Sequence, residues 1–149
     1  MRIVFASDHA GLPLKQELVE HARARGLEAV DLGPAEAVSV DYPAFAVRVT
    51  SEIVAGRAER GVLVCGTGIG MSMTANRVEG VRAALCHDAF TAEACRSHND
   101  ANVLCLGART TGPGVALQIF DLFIATPFAG GRHARRVAAI DEETRHERS

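Results

Sequence analysis

No two of the four cysteines, Cys65, Cys86, Cys95 and Cys105, form a C-x-x-C pair, and no H-E-x-x-H helix accompanies them. That spacing argues against a zinc site. No apolar run approaches the ~20 residues that a membrane-spanning helix needs. The start, Met1-Arg2-Ile3-Val4-Phe5, reads as a strand and not as a signal peptide. A cytoplasmic protein with reduced thiols and no membrane partner is the economical expectation. Net charge is small as well, at -2, so nothing global attracts nucleic acid. The charge is uneven only near the end. There Arg132, Arg135, Arg136, Arg145 and Arg148 stand against Asp141, Glu142, Glu143 and Glu147, basic in the first half and mixed in the second.

What is present is an ordinary globular composition, 48% hydrophobic and 23% charged over 149 residues. That length suits one domain spanning 1–149. Short apolar runs over 2–7, 27–32, 61–65, 81–86 and 102–106 read as strands. Amphipathic or capped segments over 12–25, 41–55, 70–77, 88–96, 114–126 and 132–146 read as helices, with Gly26 and Gly56 as stops and Asp88 as a cap. The alternation predicts a Rossmann-like α/β sandwich: a five-stranded parallel sheet with helices on both faces. Ligands in such sheets bind beyond the carboxyl ends of the strands. Asp8 and His9, residues 65–70, His87 and Asp88, and Arg109 fall there. His98 and Asn99 lie on the loop before the fifth strand, so pattern alone does not place them at that edge.

The stretch Cys65-Gly66-Thr67-Gly68-Ile69-Gly70 joins the third strand to a helix. Its glycines let the backbone approach a ligand, and its N–H groups would face an anion. Neither common nucleotide motif fits. G-x-G-x-x-G fails at Met71, and no lysine follows for a P-loop. A tight turn that only packs strand against helix explains the glycines equally well. A thiol beside a helix start can titrate closer to neutrality than its usual ~8.5 and act as base or nucleophile. Cys65 alone stands at such a place. Cys86 and Cys105, read as mid-strand, and Cys95, within a helix, are expected to be inert. His21 and His146 sit on charged helices and read as solvated, whereas His9 and His98 lie in polar turns suited to moving protons. Arg132 and Arg136 are four apart on one helix face, and Arg109 follows a strand; guanidinium forks suit phosphate. A solvated basic face remains the alternative. These residues suggest a small anionic ligand, a thiol and one or two imidazoles, without fixing a reaction.

The chain resembles the ribose-5-phosphate isomerase B family, grouped with galactose-6-phosphate isomerases. The matching segments are Ser7-Asp8-His9-Ala10-Gly11 with Leu14-Lys15, Asp41-Tyr42-Pro43, Cys65 to Ser72 with Ala75-Asn76-Arg77, and Arg82-Ala83. They continue with Ser97-His98-Asn99-Asp100-Ala101-Asn102-Val103-Leu104, Gly107-Ala108-Arg109, and Gly130-Gly131-Arg132-His133 with Arg136-Val137. The resemblance implies aldose–ketose isomerisation of ribose 5-phosphate, a step of the pentose phosphate pathway, without metal or other cofactor. It implies Cys65 as the proton-abstracting base, His98 in ring opening and Thr67 assisting. Asp8, His9, Tyr42, Gly66, Thr67, Gly68, Ile69, Gly70, Asn99, Arg109, Arg132 and Arg136 would bind substrate, the arginines its phosphate. It also implies a homodimer, or a dimer of dimers, with sites built from two subunits. The stretch 35–40 matches no role. A phosphohexose isomerase acting on allose or galactose 6-phosphate is the nearest alternative. A non-catalytic phosphosugar-binding module is disfavoured by the intact Cys65, Thr67 and His98. A nicotinamide oxidoreductase is disfavoured by Met71 and by the loop's place after the third strand.

Overall fold

The structure is a computed structural model and describes residues 1–146. Glu147 and Arg148 of the charged tail lie outside these residues, as does the side chain of His146. Five strands alternate with helices: β1 (Arg2–Ser7), α1 (Leu12–Ala24), β2 (Glu28–Asp31), α2 (Tyr42–Val54), β3 (Arg60–Cys65), α3 (Ile69–Ala75), β4 (Ala83–Leu85), α4 (Ala89–Ser97), β5 (Val103–Gly107), α5 (Pro113–Ala125) and α6 (Arg132–His146). All strand pairs are parallel, in the order β2-β1-β3-β5-β4.

The central strands are buried on both faces, which is why they read as unbroken apolar runs. Ile3, Phe5, Val62, Val64, Leu104 and Leu106 face one core, covered by α1, α4 and α5. Val4, Ala6, Leu63, Cys65, Val103 and Cys105 face the other, covered by α2 and α3. The expected three-layer sandwich is therefore present. On α1, Leu14, Leu18 and Ala22 recur every four residues and form the buried stripe. Gly26 (φ 75) and Gly56 (φ 68) follow α1 and α2 in the left-handed region that stops a helix. Asp88 caps α4, its Oδ1 accepting the Thr91 N–H at 2.7 Å.

Three expectations need correction. The strand over 81–86 shortens to Ala83–Leu85. The Arg82 N–H donates instead to the Asn102 side chain at 2.8 Å, and Cys86 follows the strand's end. The helix over 70–77 becomes Ile69–Ala75, closed by tight turns from the Arg77 and Val78 N–H groups to the Thr74 and Ala75 carbonyls. His21 is not simply solvated. Its ring meets Phe120 edge-on at 6.0 Å, and its Nε2 lies 2.8 Å from Asp121 Oδ1.

The chain steps outward from β1 to β2, then back past β1 to β3. The crevice beyond the carboxyl ends of β1 and β3 is thus a topological switch point. Ser7 pairs with Val64, which sets Asp8 beside Cys65 at that crevice. Helix α6 belongs to neither core. Among the described residues no helix is long and apolar enough to cross a membrane, and no three His, Cys, Asp or Glu side chains gather as a metal site.

Candidate active site

The carboxyl edge of the sheet carries the thiol. Cys65 ends β3 and is buried, and its Sγ accepts the Gly68 N–H at 3.1 Å. Thr67 Oγ1 accepts the Ile69 N–H at 3.3 Å. Gly68 has φ 77, and a Cβ there would come within 2.5 Å of Leu85 and 2.9 Å of the Leu106 backbone. A Cβ on Gly70 would meet the Tyr42 ring at 2.5 Å. Close packing therefore requires both glycines, and the turn it allows aims an N–H at the sulfur. Arg109 joins this edge: its N–H donates to the Gly66 carbonyl at 2.9 Å, and its guanidinium lies along Gly66.

Asp8 is buried, its N–H donating to the Val64 carbonyl (3.1 Å) and its Oδ1 accepting the Gly11 N–H (2.9 Å). His9 Nδ1 accepts the Val40 N–H at 3.3 Å. A neutral His9 then carries its proton on Nε2, which is a donor. This bond gives the stretch 35–40 a place: its end is fastened to a candidate site residue.

His98 and Asn99 lie elsewhere. α4 returns antiparallel to the strands, so its end at His98 reaches the amino edge of the sheet. α5 also runs back to that edge, and the Ala129 N–H donates to the Ser97 carbonyl at 3.0 Å, which brings the start of α6 beside His98. The His98 and His133 rings stack with centroids 4.4 Å apart. Desolvation, followed by the charges of His98, Arg132 and Arg136, holds the His133 imidazole below its usual value. Arg132 and Arg136 thus complete a basic group with the two imidazoles.

The candidate residues accordingly form two groups. Asp8, His9, Tyr42, Cys65, residues 66–70 and Arg109 share the carboxyl edge. His98, Asn99, Arg132 and Arg136 share the amino edge. The five residues of β5 between them span about 16 Å at ~3.3 Å per residue. One phosphopentose cannot bridge that distance within one chain.

The ribose/galactose isomerase family profile matches residues 3–140. The chain belongs to the ribose/galactose isomerase family. It is an isomerase. The ribose-5-phosphate isomerase B of Escherichia coli is 41% identical over 139 residues, covering 93% of both chains. The solved ribose-5-phosphate isomerase B of Clostridium thermocellum is 44% identical, with a TM-score of 0.97 over 99% of each chain. That of Mycoplasma genitalium, solved with bound ribulose-5-phosphate, is 41% identical, with a TM-score of 0.92 over 97% of this chain and 96% of that one.

All four cysteines of this isomerase are free and buried. Burial pushes the Cys105 thiol far up, and the hydrogen-bonded Cys86 sulfur pushes Cys95 up, which suits inert thiols. His133 is the residue that sequence reasoning did not count among the site residues. Its adjacency to Arg132 was a signal, but stacking on a residue 35 positions earlier was not readable from spacing. A cavity of about 510 Å³ opens between α6 and the segment 76–84. Asn99 lines it and Cys65 does not.

Proposed function

We propose that this isomerase interconverts ribose 5-phosphate and ribulose 5-phosphate through an enediolate, as a step of the pentose phosphate pathway. Family membership and the names of its relatives support the reaction class. The observation that carries the mechanism is the Gly68 N–H aimed at Cys65 Sγ at 3.1 Å. A donor at that place suits a thiolate, the form of cysteine that takes protons.

His98 delivers a proton to the ring oxygen as the C1–O4 bond breaks, and the C1 hydroxyl gives its proton to water, which returns one to the imidazole. The Cys65 thiolate takes the C2 proton of the open aldose, leaving an enediolate. A proton passes between the two oxygens, and the Cys65 thiol returns its proton to C1. Backbone N–H groups of residues 66–70, with Thr67 assisting, hold the enediolate charge, a contribution of ~3 kcal/mol per donor in comparable sites. Asp8, His9, Tyr42 and Asn99 contact the sugar hydroxyls. Arg109, Arg132 and Arg136 hold the phosphate, whose binding positions the reacting carbons.

Within one chain the two groups stand at opposite edges of the sheet. The reading therefore takes the protein as a homodimer in which one copy supplies Cys65 and its partner supplies His98. Mixing Cys65→Ala and His98→Asn proteins, each inactive alone, tests this. Subunit exchange should restore roughly a quarter of wild-type activity, since half the dimers are mixed and each holds one intact site. No recovery, with exchange verified by a tagged copy, would sink the two-copy site.

Arg132→Ala and Arg136→Ala should each raise KM for the phosphorylated sugar by roughly tenfold or more, as expected for loss of a charge-assisted hydrogen bond. Unchanged KM in both would remove the arginines from the phosphate site. The family also spans galactose isomerases, so a phosphohexose is the second reading. Incubation with ribose 5-phosphate, allose 6-phosphate and galactose 6-phosphate, each followed for ketose, decides. The highest kcat/KM on ribose 5-phosphate is expected, and a hexose preference would replace the pentose reading.

A further inference from the structure

Asp100 follows His98 and Asn99 and is the one non-glycine residue with positive φ (48°) among the described residues. That conformation costs an L-residue roughly 1–2 kcal/mol, so the surroundings must hold it. Its carboxylate is held on both sides. Oδ1 accepts from an Arg96 guanidinium nitrogen at 2.8 Å, and Oδ2 accepts from Arg82 at 3.1 Å. Arg82 Nε also donates to the Asp100 carbonyl at 3.0 Å, and the Asp100 N–H donates to the Arg96 carbonyl at 3.2 Å.

The two arginines are anchored in different elements. Arg96 is on α4, its side chain 3% exposed, and it also donates to the Ala101 carbonyl at 2.6 Å. Arg82 precedes β4, and Asn102 fixes its backbone while donating to the Gly80 carbonyl at 2.9 Å. The exit of the turn is closed by the Ala101 N–H bonded to the Cys95 carbonyl at 2.9 Å. α4, β4 and β5 thus converge on one carboxylate, and the exposed His98 rides on the turn it pins.

We infer that Asp100, gripped by Arg82 and Arg96, is a positioning residue that holds His98 where it can act on the sugar ring. This rests on the reading of His98 as the ring-opening group. Both oxygens of its carboxylate are engaged by arginines. Without its carboxylate, Arg96 is buried with half its charge-assisted bonds gone and Arg82 keeps only its Nε bond to the Asp100 carbonyl. The turn then loses both side-chain contacts that help to keep it left-handed. A displacement of 1 Å at a reacting group can cost on the order of 100-fold in rate.

Asp100→Gly, Asp100→Ala and Asp100→Asn separate backbone from carboxylate. Glycine keeps the left-handed backbone freely but has no acceptor; asparagine tolerates that backbone and keeps one acceptor. Each variant is assayed on ribose 5-phosphate and on its 4-deoxy analogue, which has no C4 hydroxyl and cannot close a furanose. Asp100→Gly and Asp100→Ala should lose roughly 10- to 100-fold in kcat/KM on ribose 5-phosphate and only a few-fold on the analogue. Asp100→Asn should recover most of the loss. Equal losses on both sugars, or an Asp100→Gly enzyme indistinguishable from wild type, would overturn the inference. If Asp100→Ala does not fold, Asp100→Gly and Arg82→Gln carry the same two-substrate comparison. His98→Asn in the same assay separates the two claims. If it spares the analogue and Asp100→Gly does not, the positioning role alone fails. If it shows no such preference, the ring-opening reading fails.

Discussion

Cys65→Ala is expected to lower isomerase turnover by roughly 10²- to 10⁴-fold, the usual contribution of a positioned general base, with little change in KM. In the switch-point crevice Asp8 Oδ1 already accepts the Gly11 N–H, and His9 Nδ1 accepts the Val40 N–H. The turn at Gly68 aims its N–H at the sulfur and at no carboxylate. Cys65→Ser should lose nearly as much, because a hydroxyl is a far weaker acid than a thiol and its anion is scarcely formed near neutral pH. Deuterium uptake at C1 and C2 from D2O reads the proton transfer directly and should fall with turnover. A Cys65→Ala enzyme within a few-fold of wild type, with an unchanged melting temperature, would end the assignment of this residue as the base.

The largest expected effect on stability lies outside that crevice. Lys15 is the only lysine in the sequence, and its side chain is fully buried. Its Nζ donates to Asp31 Oδ1 and to the Pro34 carbonyl, both at 2.7 Å. Asp31 is 32% exposed and also accepts the Gly33 N–H at 2.8 Å. The pair is therefore lopsided. Asp31→Ala strands a cation in the core, which costs about 3–5 kcal/mol. Lys15→Met removes the buried charge and leaves a carboxylate that water can reach, so it should cost markedly less. Urea unfolding of both variants measures the difference, and equal costs would contradict the argument. The same bonds hold the segment that begins at Gly33 and ends at Val40, whose N–H meets His9. Asp31→Ala should accordingly weaken sugar binding even where the protein remains folded.

Much of the fold was legible because its physics is local. The buried stripe of α1 and the left-handed glycines after α1 and α2 depend on residues within a turn or two of one another. β4 is shorter than its apolar run for the opposite reason. The Asn102 side chain, twenty residues away, takes the Arg82 N–H and shortens the strand. His21 is engaged for the same reason, since Phe120 and Asp121 reach it across the α1–α5 contact. At the candidate site, Cys65 stood out through its place between strand and glycine turn. His133 did not, because nothing near it in the chain marks it as the neighbour of His98.

The alternation of strands and helices, the parallel sheet and the candidate site residues follow from the sequence alone, because hydrophobic period, caps and side-chain type are properties of short segments. That β5 lies between β3 and β4 emerges only in three dimensions. So does the 127–131 turn that brings His133 against His98, a full strand length from Cys65. Those arrangements arise from how two helical layers cover one twisted sheet, a packing in which segments distant along the chain become neighbours.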